Sequence, residues 1–175
     1  MLKKIFIAAV IFLVAGQFGI CNAAMPRNQM FLGGFTFGSR YSEMIKMYGE
    51  PIQVSDHVED NYTCRYGDSV AIGYNKFSNK IQSITVSANN GWTTPEGLSV
   101  GMNISRATEL YGTPDYKRIG KIKTAYCYFH GNREFGFIIV FDNKSEKILV
   151  LSVHGGNTMV SFAESYKNIV ARVMN

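Results

Sequence analysis

The chain is predicted to be an α+β protein. It has two tandem repeats of a short helix followed by an antiparallel β-meander, with the helices on one sheet face and an amphipathic helix at the C-terminus. Three observations lead to this. Gly34, Gly38, Tyr48, Gly49 and Pro51 recur as Gly97, Gly101, Tyr111, Gly112 and Pro114, all at one constant displacement, and Cys64 and Gly73 return at that same displacement as Cys127 and Gly136. Ungapped self-similarity of this kind marks a duplicated supersecondary unit. Within each unit, apolar residues at helical spacing precede stretches of strand-like alternation, and short runs of turn residues separate those stretches.

In chain order, residues 1–24 form the first element, a signal peptide. Lys3 and Lys4 give a basic start, residues 5–20 an apolar stretch, and Asn22-Ala23-Ala24 small residues for cleavage. Gly16 and Gln17 interrupt the stretch, which falls short of the roughly 20 residues a spanning helix needs. The chain is therefore expected to be exported, to the periplasm, cell surface or exterior, with no stable membrane span after cleavage. A retained anchor is the alternative. Lipid attachment at Cys21 is disfavoured, because Phe18-Gly19-Ile20 lacks the small residue expected ahead of it.

Repeat 1 occupies residues 25–88, with a helix over 39–48 and strands within about 61–87. Tyr41, Met44, Ile45 and Tyr48 form the helix's apolar stripe. Repeat 2 occupies 89–156, with a helix over 102–111 and strands within about 124–154, and its stripe is Ile104, Ala107, Thr108 and Tyr111. Gly49 and Gly112 sit where a helix needs a positive-φ terminator, and Pro51 and Pro114 prevent continuation. Helices this short need a sheet to hold them. Residues 157–175 form the C-terminal helix, with Asn157 or Thr158 as cap and an apolar stripe running from Met159 to Val173.

Alternation along the strands assigns faces. Cys64, Tyr66, Ile72, Tyr74, Ile84 and Val86, with Cys127, Phe129, Phe135, Phe137, Leu151 and Val153, are expected beneath the helices. The opposite, open face would then present Arg65, Tyr126, Tyr128 and His154. Trp92 lies in the linker between the repeats.

Without Lys3 and Lys4, 16 basic residues face 13 acidic ones, a net of +3 against +5 for the whole chain. The surplus is small and scattered, which argues against nucleic acid. The tract from Lys117 to Lys123 is taken as a solvated turn. Cys64 and Cys127 remain after the signal is removed, in an oxidising compartment. They can pair only if the repeats set their strands side by side. A disulfide and two buried thiols both stay open.

Gly97-Leu98-Ser99-Val100-Gly101-Met102-Asn103-Ile104, with Leu110-Tyr111-Gly112-Thr113-Pro114, resembles the helix opening of the beta-lactamase inhibitor protein-like superfamily. That group also contains small outer-membrane assembly lipoproteins. Residues 35–51 match more loosely. The resemblance implies a helix-loop packed on one side of an antiparallel sheet, with two repeats forming a saddle whose concave sheet grips a partner protein. The paired cysteines within each repeat of the inhibitor are absent here, and where the lipoproteins have one repeat and a proper lipid-bearing cysteine this chain has two repeats and a poor lipid-attachment signal at Cys21.

Catalytic constellations are not evident. His57, His130 and His154 have no metal spacing with one another or with the cysteines. Asp56-His57-Val58-Glu59-Asp60 is taken as a charged surface loop, and no nucleophile elbow, phosphate loop or paired carboxylates appear. A cysteine nucleophile with His154 as base would require residues assigned to opposite faces. The expected function is non-catalytic binding of another protein, with no cofactor and no metal. Arg65, Trp92, Tyr126, Tyr128 and His154 are the candidate contacts. A structural or assembly role in an envelope complex is the alternative, and a hydrolase a distant third.

Overall fold

A computed structural model describes residues 25–56, 60–130, 134–155 and 162–175. The expected signal peptide, the loop holding His57 and the proposed caps Asn157 and Thr158 lie outside these residues. The elements are helix α1 (Tyr41–Tyr48), strands β1 (Gln53–Asp56), β2 (Asn61–Tyr66), β3 (Val70–Asn75) and β4 (Lys80–Val86), then helix α2 (Ile104–Tyr111). Strands β5 (Tyr116–Ile119), β6 (Lys123–His130), β7 (Phe135–Asp142) and β8 (Ile148–Gly155) follow, and helix α3 (Phe162–Met174) ends the chain. The strands form one open antiparallel sheet in the order β1-β2-β3-β4-β8-β7-β6-β5. The order is palindromic in the two halves, so β4 and β8 meet at the centre and β1 and β5 are the edges. Among the described residues no helix is long and apolar enough to cross a membrane.

Each half fastens its helix to its sheet with the same bonds. The N–H of Gly38 donates to Ile81 O and that of Tyr41 to Asn79 O; in the second half Gly101 donates to Ile148 O and Ile104 to Glu146 O. Asn79 in the β3–β4 turn also accepts from the Ser42 N–H, capping α1 from outside, whereas α2 is capped by its own Asn103 through the Ser105 N–H. Met44 and Ala107 point from the two helices into the core and are fully buried. The chain leaves the helices through Gly49 (φ 79°, ψ −171°) and Gly112 (φ 72°, ψ −154°). That region of backbone space is essentially closed to side chains, so both helices stop at glycine.

Two elements escaped the sequence reading. β1 and β5 are short strands between helix and meander, so each half has four strands rather than three. They also change the register between the halves. Five residues separate the last partners of β1 and β2, Asp56 and Tyr62, but only four separate Ile119 and Thr124 of β5 and β6. The displacement between the repeats is therefore one shorter in β6 than in the helices. Tyr66 donates its hydroxyl to Gly49 O and Tyr128 donates to Gly112 O, both at 3.1 Å, which makes Tyr128 the counterpart of Tyr66.

A slip of one residue turns a strand's side chains over. Tyr128 is fully buried beneath the helices and Tyr126 packs against the same core, while Cys127 and Phe129 point to the other side. The assignment of Tyr126 and Tyr128 to the open face, and of Cys127 and Phe129 to the helix face, is thus corrected. The β6–β7 connection exceeds its β2–β3 counterpart and turns the faces back again. Phe135, Phe137, Leu151 and Val153 accordingly lie under the helices as expected.

The back of the sheet is divided. Over β6–β8 it is apolar, with Ala125, Cys127, Phe129, Ile138 and Val140 forming a second core with Ile169 and Val170 of α3. Over β1–β4 it is lined by Ser55, Thr63, Arg65, Ala71, Gly73, Ser83 and Thr85, whereas the main contacts of α3 are with β6, β7 and β8. An antiparallel sheet tolerates one wet face. The terminal helix docks where apolar area is available.

The Gly49 terminator offers a direct check. A Cβ there would meet nothing within 4 Å, so Gly49→Ala tests backbone strain alone. The substitution should destabilise the fold by about 1–3 kcal/mol in denaturant unfolding.

Candidate functional site

The linker between the halves folds back onto the N-terminal turn and leaves a cleft there. Gly33 accepts the Tyr48 hydroxyl at 2.8 Å and donates its N–H to Thr93 O at 3.4 Å. Trp92 lies flat against Gly33, so close that a Cβ on Gly33 would sit 2.5 Å from the indole. Its φ of +58° also favours glycine, so backbone and packing demand the same residue. The indole contacts the Tyr48 ring at 4.8 Å, and Tyr48 meets Phe35 edge-on at 6.1 Å. An aromatic ladder thus ties the seam to the core.

Beside this ladder opens a cavity of about 540 Å³. One wall is the N-terminal turn, with Asn28, Phe31, Gly33 and Gly34; the other is the linker, with Gly91, Thr93, Thr94 and Pro95. The floor is stiff. Thr94 is buried, its hydroxyl 2.7 Å from the Tyr111 hydroxyl and accepting the Leu98 N–H at 3.0 Å. None of these eight lining side chains is ionisable. The cleft can hold a neutral group by shape, by contact with Phe31 and by backbone hydrogen bonding.

Sequence reasoning identified Trp92 and missed the rest. Gly33-Gly34 reads locally as a turn, which it is, but its partner lies beyond the whole of repeat 1, at Thr93 in the linker. Only folding brings the two together.

The other candidates do not converge on Trp92 or on one another. Arg65 is exposed on the polar back of β2. Tyr126 is half-buried, edge-on to Phe141 at 4.9 Å with the Lys117 ammonium over its ring at 4.9 Å. Tyr128 is sealed in the core, edge-on to Tyr111.

His154 does lie on the back face, but at the margin of α3. The residue keeps some exposure, yet its Nε2 is buried without a hydrogen-bond partner. The burial of that charge-bearing nitrogen, with Arg172 of α3 adding to it, lowers the pKa from 6.5 to about 4.

Both cysteines are free and buried. Five strand spacings, about 24 Å, separate β2 from β6, and the two thiols lie on opposite faces, so the disulfide alternative is excluded. Burial, with the Asp115 carboxylate nearby, pushes the Cys127 thiol well above its ordinary pKa. Cys127 and His154 share the back face after all. However, their strands are two spacings apart, more than about 9 Å, so they do not form a pair. Among the described residues no three His, Cys, Asp or Glu side chains gather as metal ligands.

No family model and no curated protein matches this chain. Solved structures do resemble it, among them two secreted proteins. One is a cysteine-rich secretory protein from Staphylococcus aureus subsp. aureus Mu50, with a TM-score of 0.56 and 11% identity, covering 78% of this chain and 48% of that one. The other is an extracellular protein containing a SCP domain from Bacillus anthracis str. Ames, with a TM-score of 0.54 and 9% identity, covering 77% and 49%. The chain spans about half the length of each. At these identities the likeness shows the fold alone. The resemblance drawn from the helix openings is likewise supported at the level of an antiparallel-sheet fold.

Two outcomes follow from these placements. Tyr128→Ala should cost about 3–5 kcal/mol in denaturant unfolding, as aromatic deletions from a core do, whereas Arg65→Ala should change stability by less than about 0.5 kcal/mol. His154 favours its neutral form in the fold. Its contribution to stability is present above pH 6.5 and is lost as pH falls toward about 4. The loss should reach about 3 kcal/mol. Comparing melting curves with those of His154→Phe across that window should show the variant keeping stability that the parent loses.

Proposed function

We propose that this protein is an exported, non-catalytic binding module whose ligand site is the seam cleft beside Trp92. The observation that carries this reading is the cleft itself: about 540 Å³, with no ionisable lining side chain. A pocket of that size and chemistry suits a neutral ligand held by shape and aromatic contact. The ligand class that fits is an uncharged extended segment of another protein. Its apolar side chains would lie against Phe31 and Pro95, and its backbone against the glycine walls.

Three further points support the reading. Residues 1–24 have the pattern of an export signal. The two similar structures belong to proteins described as secretory and extracellular. The helix-opening motif resembles that of the beta-lactamase inhibitor protein-like group, whose tandem-repeat inhibitors act by binding a protein partner. In this reading the contact lies at the seam rather than on the sheet. The polar back of β1–β4, with Arg65, is the secondary surface. No cofactor is invoked.

The test compares capture of partners from envelope and culture-medium fractions by the parent, by Asn28→Trp and by Arg65→Ala. Asn28 is exposed at the cleft rim, so a large ring there should block the cleft without disturbing the core. A partner retained by Arg65→Ala and lost by Asn28→Trp supports the cleft. The reverse pattern moves the site to the open sheet, and capture equal in all three removes both.

A further inference from the structure

The open sheet ends in two edges, and they differ in chemistry. At the β1 edge Val54 is 50% exposed, Ile52 just before it 71%, and Met47 at the end of α1 65%. At the β5 edge Ile119 is 79% exposed and Ile122, in the following turn, 66%. Residues 50–60 contain Glu50, Asp56, Glu59 and Asp60 and no Lys or Arg, whereas residues 115–123 contain Lys117, Arg118, Lys121 and Lys123 against Asp115 alone. One edge is acidic and the other basic, and both carry exposed aliphatic side chains.

An uncovered edge strand is a template for another strand, and proteins guard such edges with charge. Here charge guards each edge only against its own kind. β1 against β1 would set acid on acid, and β5 against β5 base on base. β1 against β5 sets an acidic segment beside a basic one, with Glu50 near Lys121, while Asp56 falls near Asp115 as the one like-charge contact.

The topology allows the mixed pairing. Seven antiparallel pairings separate β1 from β5, so the two edge strands run in opposite directions. A second copy added with its helix-side face continuous therefore brings its β1 antiparallel to the β5 of the first. Glu50 and Ile52, which lead into β1, then fall at the end where Ile119, Lys121 and Ile122 close β5. Val54 pairs with the buried Cys64, and Lys117 with Tyr126, so both face the helix side. The aliphatic groups of the two edges can meet on one surface.

We propose that this chain self-associates head to tail through its sheet edges, β1 of one copy adding to β5 of the next. The contact is heterologous and leaves one edge of each kind free, so assembly continues past the dimer. Charge between exposed edges is screened over about 8 Å at physiological ionic strength, so association should weaken as salt rises. The inference does not depend on the ligand cleft.

Sedimentation velocity on the purified exported chain, over a range of concentrations at low and high salt, tests it. The expected result is a mass that grows with concentration beyond the dimer at low salt and falls at high salt. Val54→Lys, which sets a cation facing the basic β5 edge, should stay at the mass of one chain with an unchanged melting temperature. Mixed with the parent, it should shorten the assemblies, because its intact β5 edge still caps a free β1. A parent that remains monomeric throughout would overturn the proposal. So would a Val54→Lys chain that associates like the parent, or one that leaves the parent's assemblies at their original length.

Discussion

Side chains along a strand alternate between two faces, so one residue gained or lost in a hairpin turns over the strand that follows. In this chain the β5–β6 turn is one residue shorter than the β1–β2 turn, and much of the structure depends on that difference. It places Tyr128 under the helices, where its hydroxyl holds the end of α2 through Gly112 O, and turns Cys127 and Phe129 outward. The back of β6–β8 thereby becomes an apolar platform, and α3 has a place to dock. The back of β1–β4, with Arg65, Thr63 and Ser83, stays polar. The two halves of the sheet thus present different surfaces.

Desolvation explains the behaviour of the ionisable groups that the second half encloses. Cys127 lies under α3 and holds its proton more tightly than an exposed thiol. His154, at the margin of the same helix, holds its proton less tightly. Both shifts follow from one cause, the cost of charge away from water, acting on an acid and on a base. Shifted groups often mark active sites, but here the two lie on separate strands with no shared hydrogen bond, and their shifts belong to the packing of α3.

The seam obeys a different constraint. Trp92 can rest against Gly33 only because that residue lacks a Cβ, and Gly33 can accept the Tyr48 hydroxyl only because the turn sets its carbonyl toward α1. The same contacts lock the linker in place and leave a neutral cleft beside it. The sheet edges lie at the far ends of the palindrome. The seam cleft and the two edges are separate surfaces of the molecule.

Much of the local structure was legible in the sequence. The apolar stripes of α1 and α2, their termination at Gly49 and Gly112, and the duplication itself depend on local backbone preference and periodicity. So do the helix-facing roles of Ile72, Phe135, Phe137 and Val153. What could not be read was the register of β6, because Cys64 and Cys127 align at the displacement of the helices while the true displacement there is one shorter. A match of residue types does not count the residues in a turn, and the short strands β1 and β5 gave too brief a pattern to reveal it. Local pattern was enough to specify the helices, the meanders and their order along the chain. It was not enough to specify which face each tyrosine occupies, that the cysteines stay apart, or that Gly33 meets Trp92. Those outcomes depend on strand pairing and long-range packing, which bring together residues that no local pattern relates.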